Sequence, residues 1–275
     1  MLTEARRALL LSAVRDAAAL DILPRFRRLT ADQIGTKSGP ADLVTIADRE
    51  AEARITARIA ADWPEALVVG EEAVSADPTL LDRLDGADWA VVVDPVDGTW
   101  NFANGLATFG VIVAVQYRGQ TVWGVIYDPL MDDWVEVGDD AWFMSPDGAR
   151  TPLTTSTTAQ AEEMTGFIPL FLFPKQVQPA LGAAFAQFGR VQSLRCSAHE
   201  YRLLAQGRVE FILSAMLNPW DHLAGAHAAR RAGGVARLLT GEEYLAARRQ
   251  GPLLVAGSDK GWHEVADILR PILLG

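Results

Sequence analysis

The chain has 275 residues, 49% of them apolar, with eight tryptophans. That is enough apolar material to bury a large core, as one domain or two coupled lobes, and it excludes a disordered chain. A net charge of −10 argues against a nucleic-acid surface built from clustered Lys and Arg, although part of that acidity can be metal ligands.

The single cysteine, Cys196, leaves no internal disulfide and suits a reducing, cytoplasmic setting. No apolar run approaches the length of a membrane span. In residues 1–20, Leu2, Leu9, Leu10 and Leu20 stand at helical spacing among charged residues, an amphipathic helix rather than a secretory signal. Residues 21–41 are mixed and end in Gly35-Thr36-Lys37-Ser38-Gly39-Pro40, which predicts a mobile loop. A second helix is expected over about 42–62, with Ala47, Ala51, Ile55 and Ile59 on one stripe. Asp48 and Glu52 lie within a turn of that stripe, and Asp48 is either a solvated helix charge or a carboxylate beside a buried site. Ala66 to Val69 predicts a short strand that stops at Gly70-Glu71-Glu72.

The stretch that organises the chain is 89–102, Trp-Ala-Val-Val-Val-Asp-Pro-Val-Asp-Gly-Thr-Trp-Asn-Phe. The unbroken run Val91-Val92-Val93 suits a strand covered on both faces. Asp94 is expected at its carboxyl end, because Pro95 cannot donate to a ladder. Asp97-Gly98-Thr99 then reads as a turn opening a helix, whose free N–H groups suit a phosphate. Two carboxylates three residues apart beside an anion site suggest a divalent cation held against a phosphate ester; a plain turn uses the same residue types. Ligands collect at the carboxyl ends of strands in mixed α/β sheets, so Glu71 and Asp94 can converge, although a polar loop after a strand also explains Glu71.

Residues 108–117, 121–127 and 133–137 predict a meander, followed by a strand at 141–144. The polar run Thr154 to Thr158 reads as a lobe boundary, which divides the chain into 1–150 and 151–275. Beyond it, helices are expected at 175–187, 197–206, 221–232 and 261–272, and strands at 190–194, 209–213, 235–239 and 252–256. This alternation predicts a second sheet with helices packed on it. Asp221 is placed as the N-cap of its helix. His222 and His227 read as packing or surface residues, since hard divalent cations prefer oxygen ligands.

Gly70-Glu71-Glu72, Asp94-Pro95-Val96-Asp97-Gly98-Thr99, Trp220-Asp221 with Ala224-Gly225, and Gly233-Gly234 stand in order, with Asp42-Leu43-Val44-Thr45 and Asp48 upstream. The set resembles the inositol monophosphatase family over nearly the whole chain. The resemblance implies a mixed α/β (α+β) fold layered αβαβα, and a Mg²⁺-dependent phosphomonoesterase acting on a small phosphate ester. It further implies two to three Mg²⁺ ions and a homodimer, while the net charge and the lack of a spanning run predict no nucleic-acid polymer or membrane as partner. Within the superfamily, fructose-1,6-bisphosphatase, histidinol-phosphatase and 3′,5′-bisphosphate nucleotidase activities are alternatives. A non-catalytic phosphate- or metal-binding regulator is the alternative of another class.

Carried residue by residue, the resemblance makes Glu71, Asp94 and the Val96 carbonyl ligands of a first ion, and Asp94, Asp97 and Asp221 ligands of a second. Glu71 also helps a third. Asp48, Thr99 and Glu71 are the implied catalytic residues, with the Thr99 hydroxyl, backed by Asp48, orienting and deprotonating the attacking water. Asp97, Gly98, Thr99, Ser197, Ser214 and Asp221 are the implied phosphate- and substrate-binding residues, and Lys37 lies in a loop that covers the site in relatives. The chain departs from the animal enzymes in two places. Their Gly-Thr-Ala run is replaced by Arg195-Cys196-Ser197, and a Glu that accepts inositol hydroxyls is replaced by Ser214. Ser214 is shorter and neutral, and gives a weaker contact. Arg195, His199 and Glu200 lie nearby, and Glu200 replaces the lost carboxylate if it faces the pocket.

Overall fold

The computed structural model describes residues 2–37, 39 and 42–275. Helix α1 (Glu4–Ala17) is capped by Thr3 and runs into a π-helical turn, Ala18–Ile22. The segment expected to be a mobile loop instead contributes a strand. β1 (Ile34–Thr36) pairs antiparallel with β2 (Leu43–Thr45); Ser38, Pro40 and Ala41 of that segment lie outside the described residues. Helix α2 (Ile46–Asp62) therefore starts at Ile46 rather than near residue 42. The cause is local: Thr45 and Asp48 form a capping box that fixes the start, and the pairing of β2 holds the three residues before it extended.

Strand β3 (Leu67–Gly70) leads into α3 (Glu71–Ala76) and α4 (Leu80–Gly86). β4 (Trp89–Asp97) is longer than Val91–Val93, and it does not end at Asp94. Pairing with the next strand lapses at Pro95 and Val96 and resumes at Asp97 opposite Gly110, so the missing N–H of proline produces a bulge rather than a stop. Helix α5 (Thr99–Ala103) follows. The meander β5 (Gly110–Tyr117), β6 (Gln120–Asp128), β7 (Asp133–Val137), β8 (Ala141–Met144) and β9 (Arg150–Pro152) completes a seven-stranded sheet in sequence order from β3, parallel only at β3–β4.

In the second half, β10 (Thr165–Phe167), α6 (Gln178–Ala184), β11 (Arg190–Gln192), α7 (Ser197–Ala205), β12 (Phe211–Ser214), α8 (Pro219–Arg231), β13 (Val235–Leu238), β14 (Leu253–Ala256) and α9 (Asp259–Leu273) follow. Their five-stranded sheet has the order β11-β10-β12-β14-β13. The short elements α3, α4, β9 and β10 carried no legible periodicity in the sequence.

The layers follow from the alternation of strand residues. Val91 and Val93 face a core shared with α1 and α2, whereas Val92, Ile112 and Ala114 face one shared with Tyr201 of α7 and Ala224 of α8. Helices α7 and α8 are thus sandwiched between the two sheets. Leu181 of α6 and Trp262 and Val265 of α9 cover the outer face of the second sheet, giving the order αβαβα. A Cβ at Gly225 would come within 2.1 Å of the Tyr201 ring, so glycine is what lets α7 and α8 approach this closely. No helix among the described residues is long and apolar enough to cross a membrane.

One stability prediction arises from this packing. His227 of α8 is buried, and its Nε2 donates to the Gly138 carbonyl at 3.0 Å. Burial, with Arg231 adding to it, pushes the imidazole down to about 4. A base whose folded pKa lies below its unfolded value of about 6.5 contributes stability that is present above pH 6.5 and is lost as pH falls toward 4, here up to about 3 kcal/mol. His227→Gln keeps a donor for Gly138 but cannot protonate. Chemical denaturation at a series of pH values should therefore show a shallower acid slope for the variant, and parallel curves would rule out burial of a neutral His227.

Candidate active site

The acidic residues singled out in the sequence come together from both halves of the chain. Glu71 opens α3 directly after β3, Asp94 and Asp97 flank the bulge in β4, and Asp221 lies in the first turn of α8. The α8 N-cap is Asn218, not Asp221. Pro219, with φ already set for a helix, takes the first helical position and moves the start back. Asp221 is left free of capping, and its Oδ2 accepts from Asn218 Nδ2 at 3.1 Å.

Each carboxylate is held by the backbone around it. Asp94 Oδ1 accepts the Val96 N–H across the bulge at 3.1 Å. Asp97 Oδ2 accepts the Ala198 N–H at 2.5 Å and the Cys196 thiol at 3.0 Å, so the start of α7 fixes an acid from the first sheet. Glu52 of α2 accepts the Glu72 and Ala73 N–H groups, both at 2.8 Å, through its two oxygens. It thereby caps α3 and sets the position of Glu71. That positioning role was missed in the sequence, although the four-residue spacing of Asp48 and Glu52 already placed both on one helix face.

Asp48 is buried, not solvated. Its Oδ2 accepts from the Thr45 N–H at 2.8 Å and the Thr45 hydroxyl at 2.6 Å, while its Oδ1 lies 3.0 Å from Thr99 Oγ1. Thr99 Oγ1 is also 3.0 Å from the Val96 carbonyl. The α5 N-cap is Gly98, at φ 86°. A Cβ there would also meet the Thr108 carbonyl at 2.9 Å, so glycine is required on both counts.

Oxygens of Asp94, Asp97 and Asp221 all lie within 4.8 Å of one another. Glu71 stands outside that group of three, and its carboxylate accepts from Lys37 Nζ at 2.7 Å; Glu72 takes the same ammonium at 2.5 Å. Burial, and then the charges of Glu71, Asp97 and Asp221, hold the Asp94 carboxyl well above the usual carboxylate range. Burial, followed by the charge of Asp97, pushes Asp221 up to about 7. Burial also raises Glu71, to about 8, against the opposing charge of Lys37. A cluster of buried, mutually repelling carboxylates with an all-oxygen donor set fits a hard divalent cation such as Mg²⁺ or Ca²⁺.

Glu71, Asp97 and Asp221 line a cleft of about 210 Å³ together with Gly98, Thr99, Ser197, Ser214 and Glu200, and Asp94 is buried beside it, within 4.8 Å of Asp97 and Asp221. Arg195 also faces the cleft. His199 does not line it; its Nε2 lies 3.1 Å from the Phe109 carbonyl. His222 borders the cleft but is buried, with Nδ1 3.1 Å from the Tyr201 hydroxyl and Nε2 2.7 Å from the Met216 carbonyl. Both its ring nitrogens are therefore engaged within the protein.

Residues 4–267 match the model of the inositol monophosphatase family. The Nus factor SuhB of Vibrio cholerae is 30% identical over 247 residues, which cover 86% of this chain and 85% of that protein. The fructose-1,6-bisphosphatase/inositol-1-monophosphatase of Thermotoga maritima is 28% identical over 219 residues, 77% of each chain. Among solved structures, inositol monophosphatase II of Staphylococcus aureus superposes with a TM-score of 0.80 over 98% of this chain and 95% of that one. At 21% identity it bears on the fold alone.

Proposed function

The chain belongs to the inositol monophosphatase family, and from that premise we propose that it is a Mg²⁺-dependent phosphomonoesterase of small phosphate esters. The observation that carries the proposal is the Thr99 hydroxyl, which lines one cleft with Asp97 and Asp221 and is 3.0 Å from both the buried Asp48 and the Val96 carbonyl, beside the cluster of Asp94, Asp97 and Asp221. On this reading, Glu71, Asp94 and the Val96 carbonyl hold one cation, and Asp94, Asp97 and Asp221 hold a second. Glu71 assists a third. Bound there, the cations supply Lewis acidity for the phosphoryl group and the leaving oxygen, and lower the pKa of water.

The chain's own residues do the rest. The Thr99 hydroxyl has one proton to share in a hydrogen bond with Asp48 or the Val96 carbonyl, and only when it donates to Asp48 can its proton pass there as Thr99 takes one from water. Its lone pairs then face the cleft and accept a proton from the attacking water, which orients that water for in-line attack. Asp48, buried behind it, receives the proton through Thr99. The N–H groups of Gly98 and Thr99 bind the phosphate, and Asp97, Ser197, Ser214 and Asp221 bind the remainder of the ester. The two halves of the chain act as one catalytic unit, since Asp97 is held by α7 and Asp221 is carried by α8. The family resemblance supports a homodimer acting on small molecules; the single cysteine supports a reducing cytoplasm, and the net charge of −10 speaks against a nucleic-acid polymer as partner.

A regulatory role is the second reading, favoured by the 30% identity to a protein named Nus factor SuhB. Phosphate release from a panel of phosphomonoesters with Mg²⁺ separates the two. Several small esters are expected to be hydrolysed, with myo-inositol 1-phosphate accepted but not strongly preferred, because Ser214 offers the inositol hydroxyls no charged acceptor and Glu200, although it borders the cleft, is buried with Oε1 committed to the Leu194 N–H. A preference for that ester above ~100-fold over every other one, about 2.7 kcal/mol of specific contact, would contradict this specificity. No release from any ester would leave the regulatory reading.

A further inference from the structure

Arg195 stands in the cleft with a guanidinium that has been positioned but not paired. Its charged group lies 4.1 Å from the ring centre of Trp100 and 5.0 Å from that of Phe171. Among the described residues, neither a hydrogen bond nor a carboxylate within 4.0 Å engages that guanidinium. Arg202 and Arg249, which also reach across the fold, are by contrast paired, with Asp133 and Asp85.

The backbone at Arg195 adds a second observation. It is held at φ 54°, in the left-handed region that a bulky side chain rarely adopts. Its neighbours fix it there: Glu200 Oε1 accepts the Leu194 N–H at 2.8 Å, the Arg195 N–H donates to Ser193 Oγ at 3.2 Å, and Asn101 Nδ2 donates to the Leu194 carbonyl at 2.8 Å. A strained residue persists only where its surroundings over-determine it, and such residues concentrate at ligand sites. Here the backbone sets a cation at the cleft, and two aromatic faces hold its planar fork.

We propose that Arg195, clamped between Trp100 and Phe171, binds a second anionic group of the substrate, so that the enzyme prefers esters carrying a further phosphate or carboxylate. The inference rests on the phosphomonoesterase reading for the first phosphate. For the second anion it rests only on the placement of Arg195. A guanidinium fork matches either anion with two parallel hydrogen bonds, and an aromatic clamp lowers the side-chain entropy lost on binding.

The test measures binding and turnover separately, for the wild type, Arg195→Met and Arg195→Lys. Two matched pairs of probes are used, glucose 1,6-bisphosphate against glucose 1-phosphate, and 3-phosphoglycerate against glycerol 3-phosphate. Calorimetry with Ca²⁺ in place of Mg²⁺ gives affinities, and phosphate release with Mg²⁺ gives kcat/KM. In the wild type at least one pair should favour the ester with the second anion by about tenfold or more, and the responding pair distinguishes phosphate from carboxylate. Arg195→Met should bring that ratio close to one. Arg195→Lys, which keeps the charge without the planar fork, should recover part of it. Wild-type ratios near one in both pairs, or ratios that Arg195→Met leaves unchanged, would overturn the assignment. Binding ratios that respond as expected without hydrolysis of any ester would keep Arg195 and remove the phosphatase reading. Hydrolysis with ratios indifferent to Arg195 would do the reverse.

Discussion

Asp94→Asn is expected to lower kcat/KM for phosphate release by about a thousandfold or more, a loss of about 4 kcal/mol of transition-state stabilisation, while leaving the fold intact. On the proposed assignment Asp94 is the ligand common to both cations, so removing its charge weakens two sites at once. The substitution is isosteric, and the amide oxygen can still accept the Val96 N–H that Asp94 Oδ1 accepts at 3.1 Å. The metal-free protein should become more stable, not less. In the native chain, burial and then the charges of Glu71, Asp97 and Asp221 disfavour an ionised Asp94, and asparagine removes that repulsion. Thermal unfolding with and without Mg²⁺ then gives two readings of opposite sign: a higher Tm without metal, and a smaller rise in Tm on adding it. Near-native turnover at modest Mg²⁺ would show that Asp94 does not bridge.

Thr99→Ala should lower kcat by about 10² with little change in KM, because a group that orients and deprotonates water acts mainly in the transition state. The variant removes the one hydroxyl that links Asp48 to the cleft. Asp48 keeps its bonds to Thr45, so the start of α2 should be preserved and Tm should move little. A change confined to KM would instead make Thr99 a phosphate contact.

The acids of this site were legible in the sequence because each follows a short apolar strand or stands beside a helix stripe. Glu71 could be placed just past a strand end from Val68-Val69, and Asp94 directly after Val91-Val93, although the strand runs on beyond Asp94 to Asp97. The pairing that extends β4 to Asp97 was not legible, since it depends on Gly110 standing opposite, and the pattern of one strand does not state its partner's register. The start of α2 departs from the sequence pattern for a related reason: the cross-strand pairing of Thr36 with Leu43 overrides helical propensity over 42–45. Asp221 was assigned to the cap because Asp favours that position, but the fixed φ of Pro219 decided the matter. The cleft side of α7 could not be resolved from sequence, because His199 and Glu200 are adjacent and only the fold separates them. Glu200 borders the cleft, and His199 turns toward the Phe109 carbonyl.

The central claim is that the converging carboxylates serve metal-dependent hydrolysis of a phosphate ester. The most direct measurement is phosphate release from the best ester of the panel, first after removal of divalent cations with EDTA and then during titration with Mg²⁺. The account predicts no release in EDTA and recovery with Mg²⁺ in the wild type, with Asp94→Asn failing to recover over the same range. Release in EDTA at the rate seen with Mg²⁺ would contradict it.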